Sequence, residues 1–150
     1  MGIHGKRSVD SIHKELGHIM WEHVGMGRTA EGLKEGLEKI KAIRKEFDTN
    51  LFIPGDKEGL NVELDKAIHL RDFITMGELI AYDALSRNES CGGHFREEYQ
   101  TEEGEAKRDD EHYFYVGCWE YQGSDEKAPE LLKEPLEYEA IKVQTRNYKN

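Results

Sequence analysis

Apolar residues recur every three or four positions through the first 86 residues of the chain. Val9, Ile12, Leu16, Ile19, Trp21 and Val24 form the stripe that an amphipathic helix turns toward a core, and Gly25 and Gly27 supply its stop. The spacing predicts a first helix over roughly 8–24. Thr29 is placed to cap a second over roughly 29–47, whose Leu33, Leu37, Ile40, Ile43 and Phe47 make another stripe. Asp48-Thr49-Asn50 and Pro54-Gly55-Asp56 have turn chemistry, so Leu51-Phe52-Ile53 between them is expected to be a short packed loop. Asn61 can cap a third helix over roughly 61–86. Its Leu64, Ala67, Ile68, Phe73, Ile74, Ile80, Ala81, Ala84 and Leu85 cover more than one face, which makes it the expected central and most buried helix. Short connections then give a spectrin-repeat-like, up-down-up three-helix bundle.

The period changes beyond a polar loop over 87–111. Tyr113 to Tyr121 is rich in strand formers, with Tyr113, Tyr115, Trp119 and Tyr121 on one face. Gly123-Ser124-Asp125 and Pro129 turn the chain, and Leu136 to Ile141 alternates again, predicting a hairpin within 112–143. Pro135 is expected to limit the start of the second strand or hold it at an edge. The fold class is mainly α with a small β-hairpin.

Composition narrows the function classes. With 21 basic and 31 acidic residues among 150, the net charge of −10 opposes binding to nucleic acid, which needs clustered positive charge. The acidity is uneven: residues 87–150 hold 16 acidic and nine basic residues and nine of the aromatics. No apolar run approaches the roughly 18 residues of a membrane span, and no signal-peptide pattern opens the chain, so a cytoplasmic location is expected. Cys91 and Cys118 match no metal knuckle or redox pair and are read as free thiols.

Gly25-Met26-Gly27-Arg28-Thr29-Ala30 satisfies a dinucleotide pattern, but that motif follows a strand and this one follows a helix, so it reads as a helix-to-helix turn. His13, His18 and His23 are each rotated about 140° from the last on a helix and cannot converge on one metal. His13-Lys14-Glu15-Leu16-Gly17-His18 has one residue too many for a zinc-protease motif, and His18 with Glu22 supplies two ligands only. The acidic run of Glu102, Glu103, Glu105, Asp109, Asp110 and Glu111 lacks calcium-loop spacing and reads as a solvated loop. No metal, cofactor or catalytic set is assigned to this chain.

The unusual segment is Arg87 to Tyr99. Gly92 and Gly93 free the backbone just past a helix end, while His94, Arg96 and several carboxylates crowd around them. Local salt bridges capping the helix explain such a loop. So does a clasp reaching a neighbouring domain, with Glu89, His94, Arg96 and Glu97 as contacts and Arg96 gripping a carboxylate through two parallel bonds.

Glu89-Ser90-Cys91-Gly92-Gly93-His94-Phe95-Arg96-Glu97-Glu98-Tyr99, followed by Arg108-Asp109-Asp110-Glu111, resembles the signature of succinate dehydrogenase and fumarate reductase flavoprotein subunits. Val24 to Leu33 is similar to that family's turn between the first two helices of its C-terminal domain, so the resemblance covers nearly the whole chain. Cys91 stands where the family usually has Arg, Gly93 replaces Ala and Glu98 replaces Asp. The resemblance implies the C-terminal helical domain alone, with Met1 an artificial start and the FAD-binding and capping domains elsewhere. In such a subunit a hydride passes from a dicarboxylate to FAD, and electrons continue through an iron–sulfur subunit to quinone at a membrane anchor. It implies a parent complex on the cytoplasmic face of the inner membrane, with FAD in the parent and none in this piece. The piece itself is then an inactive brace on the FAD domain. A free-standing protein-interaction domain and the equivalent domain of an L-aspartate oxidase are the alternatives.

Overall fold

A computed structural model describes residues 2–56, 58–124 and 127–144. The chain divides into two compact units, Met1–Ser86 and Arg87–Asn150.

In the first unit, β1 (Arg7–Ser8) leads into α1 (Val9–Val24), α2 (Ala30–Asn50) runs into β2 (Leu51–Phe52), and α3 (Val62–Ser86) follows. The caps form where the sequence offers them. Ser8, Thr29 and Asn61 accept from the backbone N–H three residues on at 3.3, 3.0 and 3.1 Å, satisfying donors that the first helical turn leaves open. β1 pairs parallel with β2, which puts the start of α1 beside the end of α2 and makes those helices antiparallel. Lys66 reaches Asp10 at 3.3 Å, so α3 starts beside the start of α1, and the up-down-up bundle is complete. The stripes meet in one core of Val9, Ile12, Leu16 and Ile19 from α1, Leu33, Leu37, Ile40 and Ile43 from α2, and Leu70 and Ile74 from α3.

Several expectations for this unit are corrected. Trp21 is 81% exposed: Ile19 and Val24 fill the core, and position 21 falls off their face. The second helix does not end near Phe47. Asp48-Thr49-Asn50 is its last turn, fastened by Thr49 Oγ1 donating to the Lys45 carbonyl at 2.7 Å and Asn50 donating to Glu46 at 2.9 Å. Leu51-Phe52 is a strand rather than a loop, made possible by Gly5. A Cβ there would sit 1.9 Å from the Asn50 carbonyl carbon, so only glycine allows the approach in which Gly5 N–H donates to the Leu51 carbonyl. α3 is not the most buried helix: Ile68, Phe73, Met76 and Ile80 are exposed, while Ala67, Leu70, Ile74, Ala81 and Ala84 form its inward line.

In the second unit, an irregular segment precedes a single turn, α4 (Asp110–Tyr113), and a hairpin of β3 (Tyr115–Glu120) with antiparallel β4 (Glu130–Pro135). Tyr113 belongs to α4, not to the strand. The second strand is Glu130–Pro135 rather than 136–141, so the hairpin spans 115–135 instead of 112–143. Proline donates no hydrogen bond, and Pro135 closes the ladder opposite Tyr115 rather than opening a strand. Asp125 of the expected turn lies outside the described residues. No helix among the described residues is long and apolar enough to cross a membrane.

Candidate functional site

The polar segment after α3 is organised by Arg87. Its Nη2 donates to Glu89 Oε1 at 2.7 Å and to the Tyr113 carbonyl at 2.8 Å, and its guanidinium lies over the Tyr113 and Tyr115 rings at 5.6 and 5.2 Å. The other Glu89 oxygen accepts from Asp109 N–H at 3.0 Å. Glu89, 2% exposed, therefore ties the loop's beginning to its end with charge-assisted bonds.

Ser90 makes the next tie. Its Oγ accepts from Arg96 N–H at 2.8 Å and donates to the Arg96 carbonyl at 3.1 Å, while its own N–H donates to the Lys107 carbonyl. Between them, Cys91 and His94 exchange both backbone hydrogen bonds at 2.8 and 3.0 Å, a turn for which Gly92 adopts φ +59°. His94 Nε2 donates to the Arg87 carbonyl at 3.1 Å. Arg96, 2% exposed, donates from Nε to Glu98 at 3.1 Å and from Nη1 to the Arg87 carbonyl at 3.4 Å, and lies 5.4 Å from the Tyr99 ring centre.

Of the four residues chosen from sequence, Glu89, His94 and Arg96 thus face inward around Arg87. Glu97 is exposed, and what it gives the loop is a backbone carbonyl accepting from Gln100 at 2.9 Å. Sequence reasoning passed over Arg87, Ser90 and Asp109. Their signal was present, because the two charged stretches 87–99 and 108–111 are complementary halves of one network.

The Arg108-Asp109-Asp110-Glu111 stretch is a local charge assembly. Arg108 Nε donates to Asp110 at 2.9 Å, and that bond, with Cys91 and Glu89 nearby, keeps the guanidinium even more firmly protonated than usual. Asp109 caps α4 and meets His112 Nδ1 at 3.0 Å. This hydrogen bond raises the His112 pKa above its ordinary value and lowers that of Asp109. The network holds cations and anions in matched pairs and leaves neither a nucleophile against a base nor, among the described residues, three ligating side chains around one point.

The family described as fumarate reductase flavoprotein C-term matches residues 13–148. The chain belongs to that family. Among relatives of this flavoprotein C-terminal domain, an uncharacterised FAD-dependent oxidoreductase of Methanocaldococcus jannaschii is 31% identical over 65% of the chain and 17% of its own length. An L-aspartate oxidase of Nicotiana tabacum is 34% identical over 63% of the chain and 14% of its own length. A fumarate reductase flavoprotein subunit of Helicobacter pylori is 25% identical over 93% of the chain and 18% of its own length. The fold is that of a solved E. coli quinol fumarate reductase, TM-score 0.77 at 22% identity, over 95% of this chain and 23% of that one. The chain therefore spans less than a quarter of each of these proteins.

Proposed function

We propose that this chain acts as the C-terminal helical brace of a succinate dehydrogenase or fumarate reductase flavoprotein subunit, whose FAD-binding domain carries the redox chemistry. The family match across 13–148 carries this reading. The fumarate reductase relative is aligned over 93% of the chain against 63% for the L-aspartate oxidase, which favours the dicarboxylate enzyme over the amino-acid oxidase.

The one dinucleotide-like turn of this chain is already filled by its own side chains. In the dinucleotide-like turn, Thr29 already caps α2, and Arg28 Nε donates to the Val24 and Gly25 carbonyls at 3.1 Å, filling the end of α1. When bound elsewhere in the subunit, FAD would accept a hydride from the dicarboxylate. Partners in this reading are the FAD-binding domain of the same subunit, an iron–sulfur subunit and a membrane anchor, with the complex peripheral on the cytoplasmic face of the inner membrane.

The loop's part is to present a fixed shape. Arg87, Glu89, Ser90, His94 and Arg96 build it from within, and Glu97 is one of the charges it shows outward. In the full-length subunit, Arg96→Ala should lower flavin retention and complex assembly by disordering the loop, and Glu97→Ala should lower assembly while the domain stays folded. Wild-type flavin content and assembly in both variants would end the proposal. Oxidation of L-aspartate rather than succinate by that subunit would transfer the same brace to the other enzyme.

A further inference from the structure

The hairpin has two chemically different faces. The ladder pairs Tyr115 with Pro135, Gly117 with Lys133 and Trp119 with Leu131, so these six share one face. Tyr115 is buried there, Trp119 and Leu131 are half-buried, and Lys133 Nζ stands 4.5 Å from the centre of the Tyr115 ring. The opposite face carries Val116 against Glu134, Cys118 against Leu132 and Glu120 against Glu130. All six of these are exposed, Val116 at 52% and Leu132 at 46%.

This outward face has an apolar centre and a wholly anionic rim. The one basic residue of the two strands, Lys133, is turned to the other side. Glu120 and Glu130 sit directly opposite each other, an arrangement that weakens a strand pair. The neutral Gln122 amide donates to the Glu120 carboxylate at 3.4 Å. A two-stranded hairpin has little stability to spare. Three carboxylates around an apolar centre, two of them in mutual repulsion, become favourable when cations approach from outside.

We propose that the outer face of the β3–β4 hairpin is a docking surface for a protein segment of the reverse pattern, apolar side chains flanked by Lys or Arg. Val116, Cys118 and Leu132 supply the desolvated centre, and Glu120, Glu130 and Glu134 pair with the partner's cations at the rim. This surface is independent of the loop contacts proposed above and can hold or fail without them.

The test uses the 150-residue chain and a synthetic peptide, Lys-Ser-Val-Ser-Val-Ser-Val-Ser-Lys, whose extended form puts Lys, Val, Val, Val and Lys on one face, followed by amide chemical shifts. Binding should move resonances of 116–120 and 130–134, and Leu132→Ser or the triple variant E120Q/E130Q/E134Q should weaken it at least fivefold. E102Q/E103Q/E105Q, which removes the same charge from the loop, should leave the affinity unchanged. Glu130→Lys should weaken peptide binding and also slow amide exchange in the hairpin severalfold, because it turns a repulsive pair into an attractive one. Equal losses in the two triple variants, shifts centred on 102–111, or undiminished binding by Glu130→Lys would overturn the proposal. So would the absence of binding at millimolar peptide.

Discussion

Glu89 and Ser90 show how much of the loop rests on single side chains. Glu89 is buried and receives both the Arg87 guanidinium and the Asp109 amide. Glu89→Ala leaves both donors without that acceptor, and breaking a buried ion pair from one side costs about 3–5 kcal/mol. We expect the loop and hairpin to unfold at markedly lower urea, read by Tyr and Trp fluorescence. Ser90→Ala strands the Arg96 N–H and carbonyl inside the loop, a loss of about 1–3 kcal/mol in the same assay. The exposed Asp109–His112 pair has a clear pH signature. His112, raised by Asp109, contributes in full below the ordinary 6.5 and loses its contribution as pH rises through its raised value. Asp109, lowered by His112, contributes above 3.8 and loses it as pH falls through its depressed value. The pair is therefore at full strength between those two ordinary values. In Asp109→Asn the His112 midpoint, followed by NMR, should fall toward 6.5; an unchanged midpoint would remove Asp109 as the cause.

At the scale of elements, two glycines in helices should respond oppositely to the same change. Gly17 in α1 faces open space, with nothing within 4 Å of an added Cβ. Gly17→Ala should stabilise the bundle by up to about 1 kcal/mol through helix propensity. Gly36 in α2 lies under His23, whose Cβ would be 2.8 Å from an added methyl. Gly36→Ala should cost about 1–3 kcal/mol as α1 and α2 are pushed apart. Thermal unfolding of the two variants checks both signs. The helices themselves were legible in sequence because three- and four-residue spacings and Thr29 and Asn61 caps are local signals. The β1–β2 pair was not, since two-residue strands have no period and depend on the approach of Gly5 to Asn50 across the chain. The second hairpin strand was misplaced for a related reason. Leu136 to Ile141 alternates but forms no strand, whereas Leu131-Leu132 pairs with Trp119 and Cys118 without alternating apolar and polar residues. In the loop, sequence marked Glu89, His94, Arg96 and Glu97 as contacts to a neighbouring domain, whereas Glu89, His94 and Arg96 bond within the loop and Glu97 is exposed. Which charges turn inward was decided by Arg87 and Ser90, which the sequence placed in the segment without a role of their own.

Over the whole molecule, chemistry and architecture are separated. The first unit supplies a packed helical core, and the second supplies charged pairing and a strongly acidic balance. Neither unit, among the described residues, assembles a catalytic constellation. Exposed Phe73, Met76 and Ile80 on α3, with Trp21 on α1, add apolar surface to the bundle. Such surface suits a domain that works against neighbours rather than alone. The most direct test is titration of FAD into the purified 150-residue chain, with bound flavin read by absorbance and succinate oxidation read with a dye acceptor. We expect a colourless protein that neither retains FAD at micromolar concentration nor turns over succinate. A yellow protein, or dye reduction dependent on succinate, would contradict the assignment of a brace without redox chemistry of its own.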